Sequence, residues 1–194
     1  MNLVESRLSE MSTHRENIRR GHRNQENGAY FEKMLGQLFA RMDEADLAKI
    51  CKIPEPLRVV GPGEKGVFRA IYIRGAATVD YQGTLIGGRA VYLEAKYTRA
   101  GQMEQARIAD RQAEAMDAHA ALGASCGVLV TFSLARCGLV PWAAWRRMKE
   151  IFGRKYIKAE DLEKMGWEFS LYDARGLVQA LHGLSLYKFE KPMN

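Results

Sequence analysis

Two acids and one amine in the middle of the chain could act together: Asp80, Glu94 and Lys96. The composition of residues 90–96 predicts a β-strand, and alternate residues of a strand share a face, so Glu94 and Lys96 emerge side by side. Pairing with the preceding predicted strand would bring the Asp80 carboxylate beside Glu94. Two carboxylates repel unless a cation lies between them, and hard oxygen ligands suit Mg²⁺ or Mn²⁺. With a lysine to steer water or stabilise charge on phosphate, this set suits phosphodiester hydrolysis.

Each of these residues also has a purely structural interpretation. An acid and a lysine two positions apart on a strand are common as a surface pair. Glu32, a third carboxylate candidate, begins a predicted helix, where it could simply stabilise the helix dipole. Gln112 follows the strand on another predicted helix and could belong to its solvated face.

The elements that must position these residues follow from hydrophobic spacing. Residues 1–27 are polar and basic, which suits either a solvated tail or an arm on phosphates through Arg19, Arg20 and Arg23. Apolar residues at helical spacing predict an amphipathic helix beginning at Gly28, within 28–50 and ending before Pro54. Residues 57–60 and 67–73 predict two strands around a glycine-rich turn at 61–66.

The second half of the chain alternates strands and helices. Residues 82–84 are interpreted as a polar turn and 102–120 as a helix rich in Ala, Gln and Glu. The nearly continuous apolar run 126–134 predicts a strand buried on both faces. A further strand is expected near residue 139, and helices at 142–152, 159–165 and 173–182. This order indicates one α/β domain over 28–190 with a mixed sheet and helices around it.

Composition narrows the class of partner. The net charge of +6 favours a polyanion such as nucleic acid over other partners. The cysteines Cys51, Cys126 and Cys137 form no close pair, which argues against structural zinc and suits a reducing compartment. No secretory signal and no apolar run of spanning length is present, so we expect a cytoplasmic protein without a membrane partner.

Five segments, in order, carry a family resemblance: GAYFEKML at 28–35, ATVDYQG at 77–83, GGRAVYLEAK at 87–96, DRQAEAM at 110–116 and GRKYIKAEDLEK at 153–164. Together they resemble RecU-type Holliday junction resolvases, within the PD-(D/E)xK nuclease superfamily. The resemblance implies a restriction-endonuclease-like core with a protruding stalk near 57–74. Val79 and Asn27 depart from the family pattern; Val79 should point away from the metal face.

The resemblance also implies roles for individual residues. Thr78, Asp80, Glu94 and Gln112 match the positions of a magnesium site, with Mn²⁺ as a substitute and no small-molecule cofactor. Lys96 matches the residue that stabilises the transition state, and Glu32 an auxiliary catalytic acid. The implied partners are a DNA four-way junction and a second copy of the chain in a homodimer that makes paired nicks. The stalk supplies the remaining candidate DNA contacts, which are Lys65, Phe68, Arg69 and Arg74.

Three functions therefore stand as hypotheses. The first is a metal-dependent endonuclease that resolves Holliday junctions. The second is a nuclease with the same core acting on linear duplex or flaps. The third is a recombination factor that binds DNA without cutting it; the intact acid–acid–lysine set argues against this one.

Overall fold

The protein has a mixed α/β architecture, seen in a computed structural model that describes residues 3–54, 56–73, 79–184 and 187. Side chains are described from Gly21 onward, except that of Tyr72. The predicted site residues Thr78 and Arg74 lie outside the described residues, as do the side chains of Arg19 and Arg20.

The described elements alternate helices and strands along the chain. The helices are α1 (Leu3–Glu44), α2 (Asp110–Ala121), α3 (Trp142–Arg146), α4 (Met148–Phe152), α5 (Ala159–Met165) and α6 (Ala174–Gly183). The strands are β1 (Ala48–Lys52), β2 (Leu57–Pro62), β3 (Phe68–Tyr72), β4 (Tyr81–Leu85), β5 (Ala90–Thr98), β6 (Gln102–Glu104), β7 (Ser125–Phe132), β8 (Arg136–Pro141) and β9 (Tyr156–Lys158).

A central five-stranded sheet has the order β1-β4-β5-β7-β8. Only β5 and β7 run parallel within it, and the other neighbours are antiparallel. This confirms the predicted mixed sheet and fits a restriction-endonuclease-like core. The parallel crossover is made through α2, as a parallel pair requires.

Helices cover both faces of this sheet. On one face α1 and α6 pack with β4 and β5 around Leu35, Leu93 and Leu181. On the other face α2, α3 and α5 pack on β7 around Met116, Val128 and Leu162. Every residue of β7 is buried, which confirms the predicted strand with two covered faces. The central strands are therefore fixed from both sides, which gives the side chains at their ends a rigid base.

The first helix differs from its prediction at both ends. It begins at Leu3 rather than Gly28, because extending a helix from a packed segment costs far less than starting one, and residues 21–26 remain helical although exposed. It ends at Glu44, where Asp46 adopts a left-handed backbone with φ 54°. Residues 48–52 form β1 instead, with Ala48 and Ile50 buried. Five residues of alternation were too few to outweigh the preceding helical pattern.

The predicted turn at 82–84 is wrong, because these residues lie inside β4. Gly83 is a strand glycine: a Cβ there would collide with the backbone carbonyl of Lys49 on β1. The real turn follows it at Gly87 and Gly88, both with φ 87°. Gly83 therefore marks a close approach between strands. In the sequence, a glycine with this purpose cannot be told from a turn glycine.

The predicted helix over 102–120 is wrong over residues 102–109. Residues Gln102–Glu104 form β6, which pairs with β9, and a 3-10 turn Gln105–Arg107 precedes α2. The composition of this stretch favoured helix, but pairing with β9 overrides that weak preference. The two strands of the stalk are confirmed: β2 and β3 pair antiparallel, with a bulge between Val59 and Gly61.

The burial of the cysteines and the hydropathy of the helices were also predicted from the sequence. Cys126 and Cys137 are buried as predicted, whereas Cys51 is exposed. Among the described residues, no helix is both long and apolar enough to cross a membrane.

Replacing Gly83 with Ala should destabilise the protein by roughly 2 kcal/mol or more, because β1 must move away from the added methyl group. The matched control is Gly36→Ala in α1, where an added Cβ meets nothing within 4 Å and should stabilise by up to about 1 kcal/mol. Urea unfolding of both variants measures the difference. Equal effects at the two positions would contradict the close approach of β1 and β4.

Candidate active site

Antiparallel pairing of β4 and β5 sets two carboxylates opposite each other. Tyr81 pairs with Leu93, so continuing the register by one residue places Asp80 across from Glu94. Asp80 is held there by its own chemistry: its Oδ2 accepts a hydrogen bond of 2.9 Å from the backbone N–H of Ala95. Its backbone carbonyl accepts another of 2.8 Å from Ile53, next to β1. The predicted neighbourhood of Asp80 and Glu94 is thus present.

Glu94 is a fully buried acid with one occupied and one unoccupied oxygen. Its Oε1 accepts from Lys96 Nζ at 2.5 Å and from Gln112 Nε2 at 2.6 Å. Its Oε2 is buried and has no hydrogen-bond partner among the described residues. A buried carboxylate oxygen without a donor is costly, so this atom has a strong requirement for a positive or hydrogen-bonding partner.

The electrostatics of Glu94 reflect that requirement. The pKa of Glu94 is raised from the ordinary 4.5 to about 7: burial is the largest cause, Lys96 lowers the pKa, and the nearby Asp80 carboxylate raises it. Desolvation and the like charge of Asp80 therefore raise the pKa of Glu94 by more than Lys96 lowers it. A cation between the two acids would counter both effects at once.

The donor set fits a hard divalent metal ion in part. Asp80 and Glu94 offer carboxylate oxygens, the ligand type that Mg²⁺ and Mn²⁺ prefer. Among the described residues, no group of three or more His, Cys, Asp or Glu side chains converges on one point. Other ligands must then be amide, hydroxyl, backbone or water oxygens, as is usual for Mg²⁺.

Gln112 is the amide closest to this role. It comes from the first turn of α2 and contacts Glu94 through its nitrogen, while its oxygen accepts from the backbone N–H of Ala109 at 3.3 Å. An amide can exchange the positions of its oxygen and nitrogen by rotating. The predicted proximity of Gln112 to the site is present, in a donor orientation.

Glu32 pairs with a lysine of β1, and its predicted role as an auxiliary acid near the site stays a prediction. It comes from α1 and pairs with Lys52 Nζ at 2.5 Å, with both side chains partly exposed. The two residues line a cavity of about 240 Å³ together with Tyr81. Among the described residues, no contact of Glu32 with Asp80, Glu94 or Lys96 is seen. The buried hydroxyl of Tyr81 has no partner there, and burial, Glu32 and Asp80 raise its pKa.

Sequence reasoning missed the contact that joins α1 to the strand of the site. Asn27 Nδ2 donates to the hydroxyl of Tyr97 at 2.8 Å, and Tyr97 follows Lys96 in β5. Asn27 stood out only as a departure from a family pattern, and its partner is distant in sequence. No local signal could have paired them.

The family comparison agrees with this geometry. A family model described as Recombination protein U, or RecU, matches residues 26–183, which is most of the chain. The chain belongs to the RecU family. This confirms the resemblance that the motifs indicated, and makes the chain a member of a family of Holliday junction resolvases of DNA recombination. A search of curated proteins found no match.

The candidate DNA contacts of this RecU-family chain come from the stalk and from α1. Lys65 sits at the turn of the stalk with φ 52°, and Phe68 at the start of β3 is 67% exposed. Arg69 on β3 and Arg23 on α1 are exposed. An exposed ribbon with cations and an aromatic side chain suits DNA contact, which for these residues remains a prediction.

Replacing Glu94 with Gln tests the cost of the buried carboxylate. Because its folded pKa is raised, the folded state retains a proton that the unfolded chain releases between pH 4.5 and about 7. The resulting stabilisation is full below the unfolded pKa and is lost as pH rises through the folded one. In chelator, we expect Glu94→Gln to be more stable than wild type at pH 8 by roughly 1–3 kcal/mol, and the gap to shrink towards pH 5.

Urea unfolding at both pH values measures this. Glu114→Gln, which changes an exposed acid of α2, is the control and should show no such trend. A Glu94→Gln protein less stable than wild type at pH 8 would contradict a raised pKa.

Proposed function

We propose that this chain is a Mg²⁺- or Mn²⁺-dependent endonuclease that resolves Holliday junctions by paired, symmetric nicks. The observation that carries the proposal is the buried Glu94, whose Oε2 has no partner among the described residues, opposite Asp80 and beside Lys96. A purely structural acid in such a position would be expected to have both oxygens satisfied. Membership of the RecU family supplies the substrate class.

Asp80 and Glu94 would hold the metal ion, with Gln112 and Thr78 as further proposed ligands. Bound there, the metal would act as a Lewis acid on the phosphate and make bound water a nucleophile near neutral pH. The charge of the metal ion would keep Glu94 ionised. Without the ion, the pKa of Glu94 is raised. Asp80 is pre-oriented by its hydrogen bond from the Ala95 backbone.

Lys96 supplies the movable positive group of the site. Its side chain is 16% exposed, whereas that of Glu94 is 1% exposed, so the amine lies between the buried acid and solvent. With a metal ion held by Glu94, the Lys96 amine would donate to a phosphate oxygen or to the attacking water. A cation placed where phosphate gains charge stabilises the transition state.

Glu32 is proposed as an auxiliary acid that acts through its neighbours. Its pair with Lys52 anchors α1 to β1, and β1 hydrogen-bonds to β4, which leads directly from Asp80. Its effect would be to position that strand.

Substrate choice is proposed to reside in the stalk and in the dimer. Lys65, Phe68 and Arg69 would contact the centre of the junction, and Arg23 on α1, with Arg19 and Arg20, would contact the arms. Two copies related by a two-fold axis suit a four-way junction, because its two scissile strands are related by the same pseudo-symmetry. Such an enzyme would act where chromosomal or phage DNA recombines, in the cytoplasm.

Asp80 should be needed for metal binding and cleavage, whereas Lys96 should be needed for cleavage alone. Asp80→Asn should lose both the stabilisation of the fold by Mn²⁺ and cleavage, the latter by roughly 10³-fold. Lys96→Gln should retain the Mn²⁺-induced rise in melting temperature and still cut roughly 10²-fold more slowly. Lys164→Gln, an exposed lysine on α5, is the control. The assignment is wrong if Asp80→Asn cuts a labelled junction at the wild-type rate.

Junction selectivity should depend on the stalk. Wild type should cut a four-way junction much faster than a linear duplex of the same sequence, and Phe68→Ser should reduce that ratio roughly tenfold. Leu122→Ser, which changes an apolar side chain 87% exposed outside the stalk, should leave it unchanged. Equal cutting of both DNAs by wild type would favour a nuclease for linear duplex or flaps, and binding without cutting would favour the non-catalytic alternative.

A further inference from the structure

A cleft of about 370 Å³ lies on the flank of α2, outside the acid site. Its walls come from the segment before α2, the start of α2, α3 and the residue Lys155. Trp142 and Trp145 of α3, which are 2% and 1% exposed, lie beneath the cleft, and the exposed Asp110 of α2 also lines it. The same helix carries Gln112, which touches Glu94, so the cleft and the acid site share one rigid element.

One cation of the cleft is held in place by the protein. Arg146 Nη2 is 3.2 Å from Asp117 Oδ2, and its guanidinium carbon is 5.9 Å from the centre of the Trp142 ring. Asp117 also accepts from Trp142 Nε1 at 2.8 Å. Arg146 is therefore oriented before any ligand arrives, with donors left over, since a guanidinium has five N–H groups.

A second cation has no such anchor. Lys155 is exposed and lines the cleft, and its amine has no partner among the described residues. Its backbone is fixed, because the carbonyl accepts from the N–H of Gln105 at 2.9 Å. Lys155 belongs to the segment GRKYIKAEDLEK, which the acid site leaves without a role.

The second tryptophan of the cleft, Trp145, contributes a buried hydrogen-bond donor. Trp145 is 1% exposed, and its indole N–H has no hydrogen-bond partner among the described residues. Buried indole N–H groups usually have one. A buried N–H without an acceptor lowers stability, and Trp145 is one of the residues that line the cleft.

These groups match a nucleotide better than a bare anion. Arg146 and Lys155 suit a phosphate, while Asp110 and Glu104 at the same cleft would repel an anion that offered nothing else. A nucleobase offers amino groups to such acids and ring acceptors to the donors that line the cleft. We propose that this cleft binds one unpaired nucleotide of the DNA substrate, with its phosphate on Arg146 and Lys155.

The proposal rests on the proposed function for the source of the nucleotide, which is a strand leaving the branch point. It makes α2 a two-sided element: one side bears the acid site and another receives an unpaired nucleotide. An enzyme so built would bind DNA with unpaired nucleotides more tightly than fully paired duplex.

Deoxyadenosine 5′-phosphate is the probe, titrated into the full chain in chelator so that the acid site takes no part. Indole N–H signals in nitrogen-15 NMR report on the three tryptophans separately. We expect a saturable shift of the Trp145 signal, with affinity reduced at least tenfold in Lys155→Ala and in Ala106→Phe, which fills the cleft from an exposed rim position. Lys149→Ala, an exposed lysine of α4, should bind like wild type.

Three results would overturn the proposal: no saturable shift of Trp145, an equal shift with inorganic phosphate alone, or an equal loss in Lys149→Ala. The first removes the site and the second reduces it to an anion site. The readout needs neither metal nor cutting, so it can succeed where junction cleavage fails, or fail where cleavage succeeds.

Discussion

The facing carboxylates of Asp80 and Glu94 form the interaction on which the rest of the molecule depends. Burial of Glu94 in a sheet covered on both sides disfavours its charged form. The Asp80 carboxylate across the strand pair disfavours it too, by repulsion between like charges. Among the described residues, Lys96 and Gln112 satisfy one oxygen of Glu94 and nothing satisfies the other. A protein of marginal stability retains such an arrangement mainly at functional sites, and the proposed metal ion would supply the missing partner.

The remaining elements divide the work around that pair. The two-layered core fixes β4 and β5, so that the carboxylates cannot separate to reduce their repulsion. The stalk ribbon carries exposed side chains, and so does α1 at residues 21–26. The α2 helix connects the acid site with the proposed nucleotide cleft. In the proposed function, chemistry takes place on rigid strands and recognition on the elements around them.

The sequence was informative where a local pattern has a single physical cause. Alternation along β5 placed Glu94 and Lys96 on one face, and the continuous apolar run predicted β7 with two covered faces. It was misleading where one residue type serves two purposes. Gly83 signals a turn, yet it permits the close approach of β1. The stretch beginning at Gln102 has the composition of a helix, yet it pairs with β9, which is distant in sequence. Glu32 has the expected position in α1, but its partner Lys52 comes from a strand that the pattern did not indicate.

The central claim is that Asp80 and Glu94 hold a divalent metal ion for cutting DNA. The most direct measurement is anomalous X-ray diffraction from crystals grown with Mn²⁺, which locates the ion without assuming a mechanism. We expect a manganese peak at coordination distance, about 2.1–2.3 Å, from oxygens of both Asp80 and Glu94. We expect no such peak in Asp80→Asn crystals. A peak elsewhere in a protein that still cuts junctions, with Glu94 Oε2 left bare, would contradict the central claim.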